Sequence, residues 1–157
     1  MSLHNDGVTP PAHRQCAATV ISNAAGEVLL VQQNYGTHAW GTPGGVVEPG
    51  ETPMEAAIRE TSEEVGLNVT LSHLIGIYLL RGGGWPDILA HVFMADVLSG
   101  LEHIVDAGEI ARLEWRALSD LPSPLVTDVE AALDDLAAGR RGVVRTVQRT
   151  RKLPPLT

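Results

Sequence analysis

The stretch GGVVEPGETPMEAAIRETSEEVGL, running from Gly44 to Leu67, decides how this chain is read. Helix signals are dense in it. Thr52 can cap an N-terminus, Pro53 suits the first helical position, and Glu55 three residues after the cap completes a capping box. Gly66 is placed to end the helix in a left-handed conformation. Met54, Ala57, Ile58, Thr61 and Val65 recur at helical spacing and predict the buried stripe. Glu60, Glu63 and Glu64 fall on another side, three and four residues apart, so their side chains are neighbours. Arg59 lies one turn from both Glu55 and Glu63 and can hold a carboxylate in place.

On a solvated helix such like-charge neighbours cost only a few tenths of a kcal/mol. Partly shielded, at about 5.5 Å and an effective dielectric near 20, each pair repels by roughly 3 kcal/mol. A hard divalent cation removes that penalty, since carboxylate oxygens are the ligands it takes. Three helix glutamates alone read more readily as a solvated charged face than as a metal site. The turn ahead of them points to a ligand: Thr42-Pro43-Gly44-Gly45 lets backbone approach closely, because glycine has no side chain.

Gly45, Glu51, Arg59, Glu60, Glu63, Glu64, Gly66 and Leu67 together match the pattern G-x5-E-x7-R-E-U-x-E-E-x-G-U, where U is usually aliphatic. In this the chain resembles the Nudix hydrolases, the MutT-like pyrophosphohydrolases, whose defining box is that pattern. Every fixed position is present, and Thr61 stands at a usually aliphatic one. The resemblance implies an α/β/α sandwich with a mixed sheet between helices. It also implies Mg²⁺- or Mn²⁺-dependent hydrolysis of a nucleoside diphosphate linked to another group. Glu60 and Glu64 would then be the principal metal ligands, with Glu63 sharing in the site and the Gly45 carbonyl completing it. Arg59 would orient the glutamates, and Glu51 would support the loop. An acid from the region before a late strand often completes such sites. Glu109 is the choice here, as late ligand or general base, with Glu102, Asp106 and Glu114 as competitors and the box glutamates, Glu63 and Glu64 included, as alternative bases.

At 157 residues, 44% apolar and 19% charged, the chain reads as one globular domain over its whole length. No apolar run reaches membrane-spanning length, and the opening MSLHNDGVTPPAHR lacks the core of a signal peptide. The segment 1–14 is expected to be flexible. Cys16 is the only cysteine, which fits a reducing cytoplasm and a small buried residue. The net charge of −8 is unevenly spread. Six of the eleven basic residues follow Gly139: Arg140, Arg141, Arg145, Arg149, Arg151 and Lys152. The preceding body carries the other five against all nineteen acids, so it repels nucleic-acid backbone and favours a free mononucleotide or similar small phosphate. The segment 140–157 reads as a basic C-terminal tail, solvated or contacting a second subunit in a homodimer in preference to binding RNA or DNA.

Residues 17–22 (AATVIS) and 27–32 (EVLLVQ), joined by Asn23-Ala24-Ala25-Gly26, predict a hairpin. Residues 68–73, 74–80, 88–98 and 111–117 read as extended, and 101–110 as a loop made flexible by its glycines. A second helix is predicted over 127–139, with Thr127 and Glu130 as capping box and Val129, Leu133 and Leu136 as its stripe.

The six histidines show no zinc-ligand spacing, and neither a serine-hydrolase elbow nor a Walker sequence is present. Substrate contacts are expected from Arg81, which can neutralise a phosphate, and from Tyr35 and Trp85, loop aromatics able to stack on a base. The alternative left open is a nucleotide-binding regulator with this fold and no turnover.

Overall fold

The computed structural model describes residues 14–150. Apart from Arg14, the segment expected to be flexible lies outside them, as do Arg151 and Lys152 of the basic tail. The elements in order are β1 (Arg14–Ile21), β2 (Val28–Gln33), β3 (Trp40–Gly41), β4 (Gly44–Val46), α1 (Pro53–Val65), β5 (Asn68–Gly82), β6 (Ile88–Ser99), β7 (Ile110–Arg116), α2 (Thr127–Ala137) and β8 (Val143–Arg149).

A five-stranded mixed sheet runs β4-β1-β6-β5-β8, with β1–β6 and β5–β8 parallel. A second, antiparallel sheet runs β3-β2-β7. The central strands alternate between two buried faces. Ala17 and Phe93 meet Ala56 and Ala57 of α1, while Ile21, Ala95, Leu29 and Val31 gather with Val65. On the other side Val20, Val92, Ala90, Val28 and Leu30 pack with Val129, Ala132 and Leu133 of α2. Apolar side chains on both faces are the mark of a strand covered on both sides. The result is the expected helix–sheet–helix sandwich.

The expected hairpin does not form. The turn is present, with Asn23 Oδ1 accepting from Glu27 N at 2.9 Å, but the two runs share only the Ser22–Val28 bridge before diverging into different sheets. Because both runs are apolar on both faces, each finds fuller burial against other strands than against its neighbour. The two extended stretches after the box are one bulged strand, β5. Within the predicted basic tail, Val143–Arg149 form a strand. β8 lies parallel to β5, and Arg140 and Arg145 close on buried Asp135 at 2.9 and 3.3 Å.

The caps differ between the helices. Around α1 they are as read: Thr52 accepts from Glu55 N, Pro53 stands at the first turn, and Gly66 has φ 71°. The stripe is borne out at Ala57, Thr61 and Val65 but not at Met54 and Ile58, which are exposed, and Ala56 and Glu64 are buried beside it. Small residues there let the helix sit close to β1. The capping box of α2 is not made, because Val126 occupies the cap and Thr127 is already helical.

Candidate functional site

The site begins where α1 lies against the Gly44–Gly45 backbone of β4. A Cβ on Gly45 would stand 2.5 Å from the Glu60 carboxyl carbon, so any larger residue would push that carboxylate from its place. Glu64 is reached from the same strand, accepting the Gly44 N–H at 3.3 Å. Burial, then the Glu60 charge, pushes the Glu64 carboxyl up to about 8. Burial likewise raises Glu60, although Arg59 pulls it down. These acids therefore strain against each other and against desolvation, as expected where a cation belongs.

Arg59 holds the frame. Its guanidinium bonds both Glu51 oxygens at 2.7 and 3.0 Å, Glu60 at 2.9 Å, Glu63 at 3.1 Å and the Val46 carbonyl at 3.2 Å. Such a forked contact fixes direction as well as charge. It draws the Arg59 pKa further up and holds Glu51 below the usual carboxylate range. Glu63 is largely exposed and turned to Arg59.

A cleft of about 230 Å³ opens beside these residues. It brings together Gly45, Glu64, Glu109 and Tyr35, all singled out in the sequence. Its remaining walls include Thr42, read in the sequence only as part of the glycine turn, and Cys16, Val126, Asp128 and Val129, none of which the sequence marked as a site residue. Two of these carry a physical signal. The Thr42 hydroxyl is buried with no hydrogen-bond partner, and burial raises the Asp128 carboxyl. Burial also lifts the Cys16 thiol to about 12, which leaves it an inert wall residue.

The loop that carries Glu109 is tied to the end of β2 through Asn34. Asn34 N donates to the Glu109 carbonyl at 2.8 Å, and Asn34 Nδ2 donates to the Ala107 carbonyl at 2.9 Å. Further along, His103 N and Val105 N bond the carbonyls of Val65 and Glu64. The competing acids are otherwise engaged: Glu102 accepts from the Trp115 indole, Asp106 caps Gly108 N, and Glu114 pairs with Arg112 and Arg116. Arg81 and Trp85 are not brought to the cleft. Arg81 pairs with Asp87 at 3.1 Å, and Trp85 is 72% exposed on the loop between β5 and β6.

Among the described residues, no three His, Cys, Asp or Glu side chains converge closely enough to hold a metal by themselves. Two adjacent carboxylates, Glu60 and Glu64, are nonetheless a hard oxygen donor pair whose repulsion a divalent ion would relieve.

The NUDIX domain family model matches residues 12–138. A putative 8-oxo-dGTP diphosphatase of Bacillus subtilis is 33% identical over 136 residues, covering 87% of this chain and 88% of its own. An RNA pyrophosphohydrolase of Yersinia enterocolitica is 50% identical over 56 residues, 36% of this chain and 31% of that one. Among solved structures, a MutT Nudix hydrolase from Burkholderia pseudomallei superposes with a TM-score of 0.73 at 28% identity, covering 78% of this chain and 97% of that one. With its box intact on the α1 frame and the family model spanning most of its length, the chain belongs to the Nudix family of hydrolases.

Proposed function

We propose that this protein is a divalent-metal-dependent pyrophosphohydrolase acting on a nucleoside diphosphate linked to another group. The observation that carries the reading is the pairing of Glu60 and Glu64 against the Gly44–Gly45 backbone at the cleft. Glu60, Glu64 and the Gly45 carbonyl would hold Mg²⁺ or Mn²⁺, with Glu63 beside them. Such an ion, when bound, neutralises phosphate oxygens and acidifies a water molecule.

The chain's own residues supply the rest. Arg59 keeps Glu60, Glu63 and the Glu51 loop in register, so that no side-chain reorganisation is needed as charge develops. The glycines let the substrate's phosphates approach the backbone. Glu109 faces the same cleft and is assigned the proton of the attacking water. Tyr35, half exposed at the cleft, is placed to contact the nucleotide. The apolar walls at Val31, Val126 and Val129 suit its nucleoside part. A cytoplasmic location fits a chain with one cysteine.

The test is a panel of nucleotides: the four common nucleoside triphosphates, 8-oxo-dGTP, ADP-ribose and a dinucleoside polyphosphate, each with and without Mg²⁺. At least one should be hydrolysed, and chelation should abolish the reaction. Glu64→Gln and Glu60→Gln should each lower turnover about 10²-fold or more, and the double variant should fall short of the product because the two serve one site. Binding without turnover across the panel would instead make the protein a nucleotide-binding regulator.

A further inference from the structure

The antiparallel pairing of β2 with β7 ends at Gln33 and Ile110, so Asn34 follows the one strand where Glu109 precedes the other. The register shifts just before, between Gln32 and Gln33. Such a shift bends a strand end and re-aims the side chains beyond it. Next to it the backbone of 106–109 folds into a small turn. Asp106 Oδ1 accepts from Gly108 N at 2.8 Å, and the Asp106 carbonyl accepts from Glu109 N at 3.2 Å and Ile110 N at 3.0 Å. Asn34 grips that turn at two points. Its backbone N–H donates to the Glu109 carbonyl at 2.8 Å, and its Nδ2 donates to the Ala107 carbonyl at 2.9 Å.

A loop asparagine ordinarily bonds backbone close to itself. Asn23 does so here, its Oδ1 accepting from Ala25 N and Glu27 N. Asn34 instead reaches across 73 residues of chain. That bond is exposed, so water competes for it and it adds little to the stability of the fold. What it adds is direction: a turn bonded at one point can pivot about it, and a second bond opposes the pivot. The acceptor is a carbonyl, so the amide NH2 is required, and a carboxylate of the same shape would repel it. The turn carries Glu109 to the cleft wall it shares with Glu64 and Tyr35. Burial is the first cause that raises Tyr35, Glu60 and Glu64, and the Glu109 charge adds to each, so its carboxylate lies within reach of all three.

We propose that Asn34 is a positioning residue for the reaction, whose side chain sets the direction of the Glu109 carboxylate by bonding the turn that carries it. This rests on the assignment of the attacking water's proton to Glu109.

The test is Asn34→Ala, made in the wild type and in Glu109→Gln, with the nucleotide turned over fastest in the panel above. Asn34→Ala should lower kcat about 3- to 10-fold, as for losing one hydrogen bond that orients a reacting group. KM should stay within about 2-fold, because the substrate is not touched. Asn34→Asp, which keeps the shape and loses the donor, should lose at least as much. In the Glu109→Gln background Asn34→Ala should produce no further fall, since the group it orients has gone. Melting temperatures should stay close to wild type, as for other exposed loop substitutions. Unchanged kcat in Asn34→Ala would overturn the proposal while leaving Glu109 in its role. So would an equal fall in both backgrounds, which would mean that Asn34 acts through Tyr35 or the fold instead. If Glu109→Gln itself keeps the wild-type kcat, the assignment of the base fails first, and the positioning role with it.

Discussion

Tyr78 donates its hydroxyl to Asp135 at 2.7 Å, joining β5 to α2 through two buried side chains. Arg140 and Arg145 complete the arrangement, and Arg145 also lies over the Tyr78 ring, 5.5 Å from its centroid. Burial pulls the Asp135 carboxyl upward, but the bonds from Tyr78, Arg140 and Arg145 outweigh it and leave the pKa below the ordinary value. A carboxyl depressed in the folded state contributes stability above its unfolded value of about 3.9, and loses it as pH falls through the folded value. Asp135→Asn should therefore flatten the acid limb of the stability curve below about pH 4. At neutral pH it should cost roughly 1–3 kcal/mol, the range for disrupting a buried polar group. Denaturant melts across pH 2–7 check both. An acid limb as steep as wild type would refute the assignment.

Removal of residues 140–157 takes away β8 and both arginines facing Asp135. Deletion should lower Tm by more than about 5 °C, what 2 kcal/mol does to a chain of this size, or leave an insoluble protein. Calorimetry decides. A truncated protein with the wild-type Tm would show that β8 is dispensable.

Thr61, at the usually aliphatic position of the box, is not an unsatisfied substitute. Its hydroxyl meets Thr19 Oγ1 at 2.8 Å and donates to the Ala57 carbonyl at 2.7 Å, with both threonines fully buried. Thr61→Val alone should cost about 1–2 kcal/mol, because the Thr19 hydroxyl loses its partner. The double variant Thr19→Val/Thr61→Val should recover much of the loss. Additive losses in the double-mutant cycle would contradict the pairing.

Of the four acids Glu102, Asp106, Glu109 and Glu114, Glu109 alone lines the cleft, its rivals being held by Trp115, Gly108 N and two arginines. Glu109→Gln should lower kcat by about 10² or more with little change in KM. Glu102→Gln, Asp106→Asn and Glu114→Gln should stay within a few-fold of wild type under saturating Mg²⁺. If the loss appears in one of those three instead, the role moves there.

What the sequence by itself determined is what short-range geometry determines. The start and stop of α1, the adjacency of its glutamates and the reach of Arg59 follow from 3.6 residues per turn and from Thr52, Pro53 and Gly66. None of these needs a distant partner, so all were legible within one stretch. Even there the buried face was legible only in part: Ala57, Thr61 and Val65 are buried as read, but hydrophobicity also marked Met54 and Ile58, which are exposed, while close packing added Ala56. Everything that depends on which segment lies beside which was decided by the tertiary structure. A turn between two apolar runs looks like a hairpin whichever strands they finally join. A run of arginines looks like a solvated tail until Asp135 and the edge of β5 receive it. The cleft belongs to the same class. Thr42, Glu64, Glu109 and Asp128 meet only because four separate segments converge there, and the burial that raises the Glu64 and Asp128 carboxyls and strands the Thr42 hydroxyl exists only after the sandwich closes.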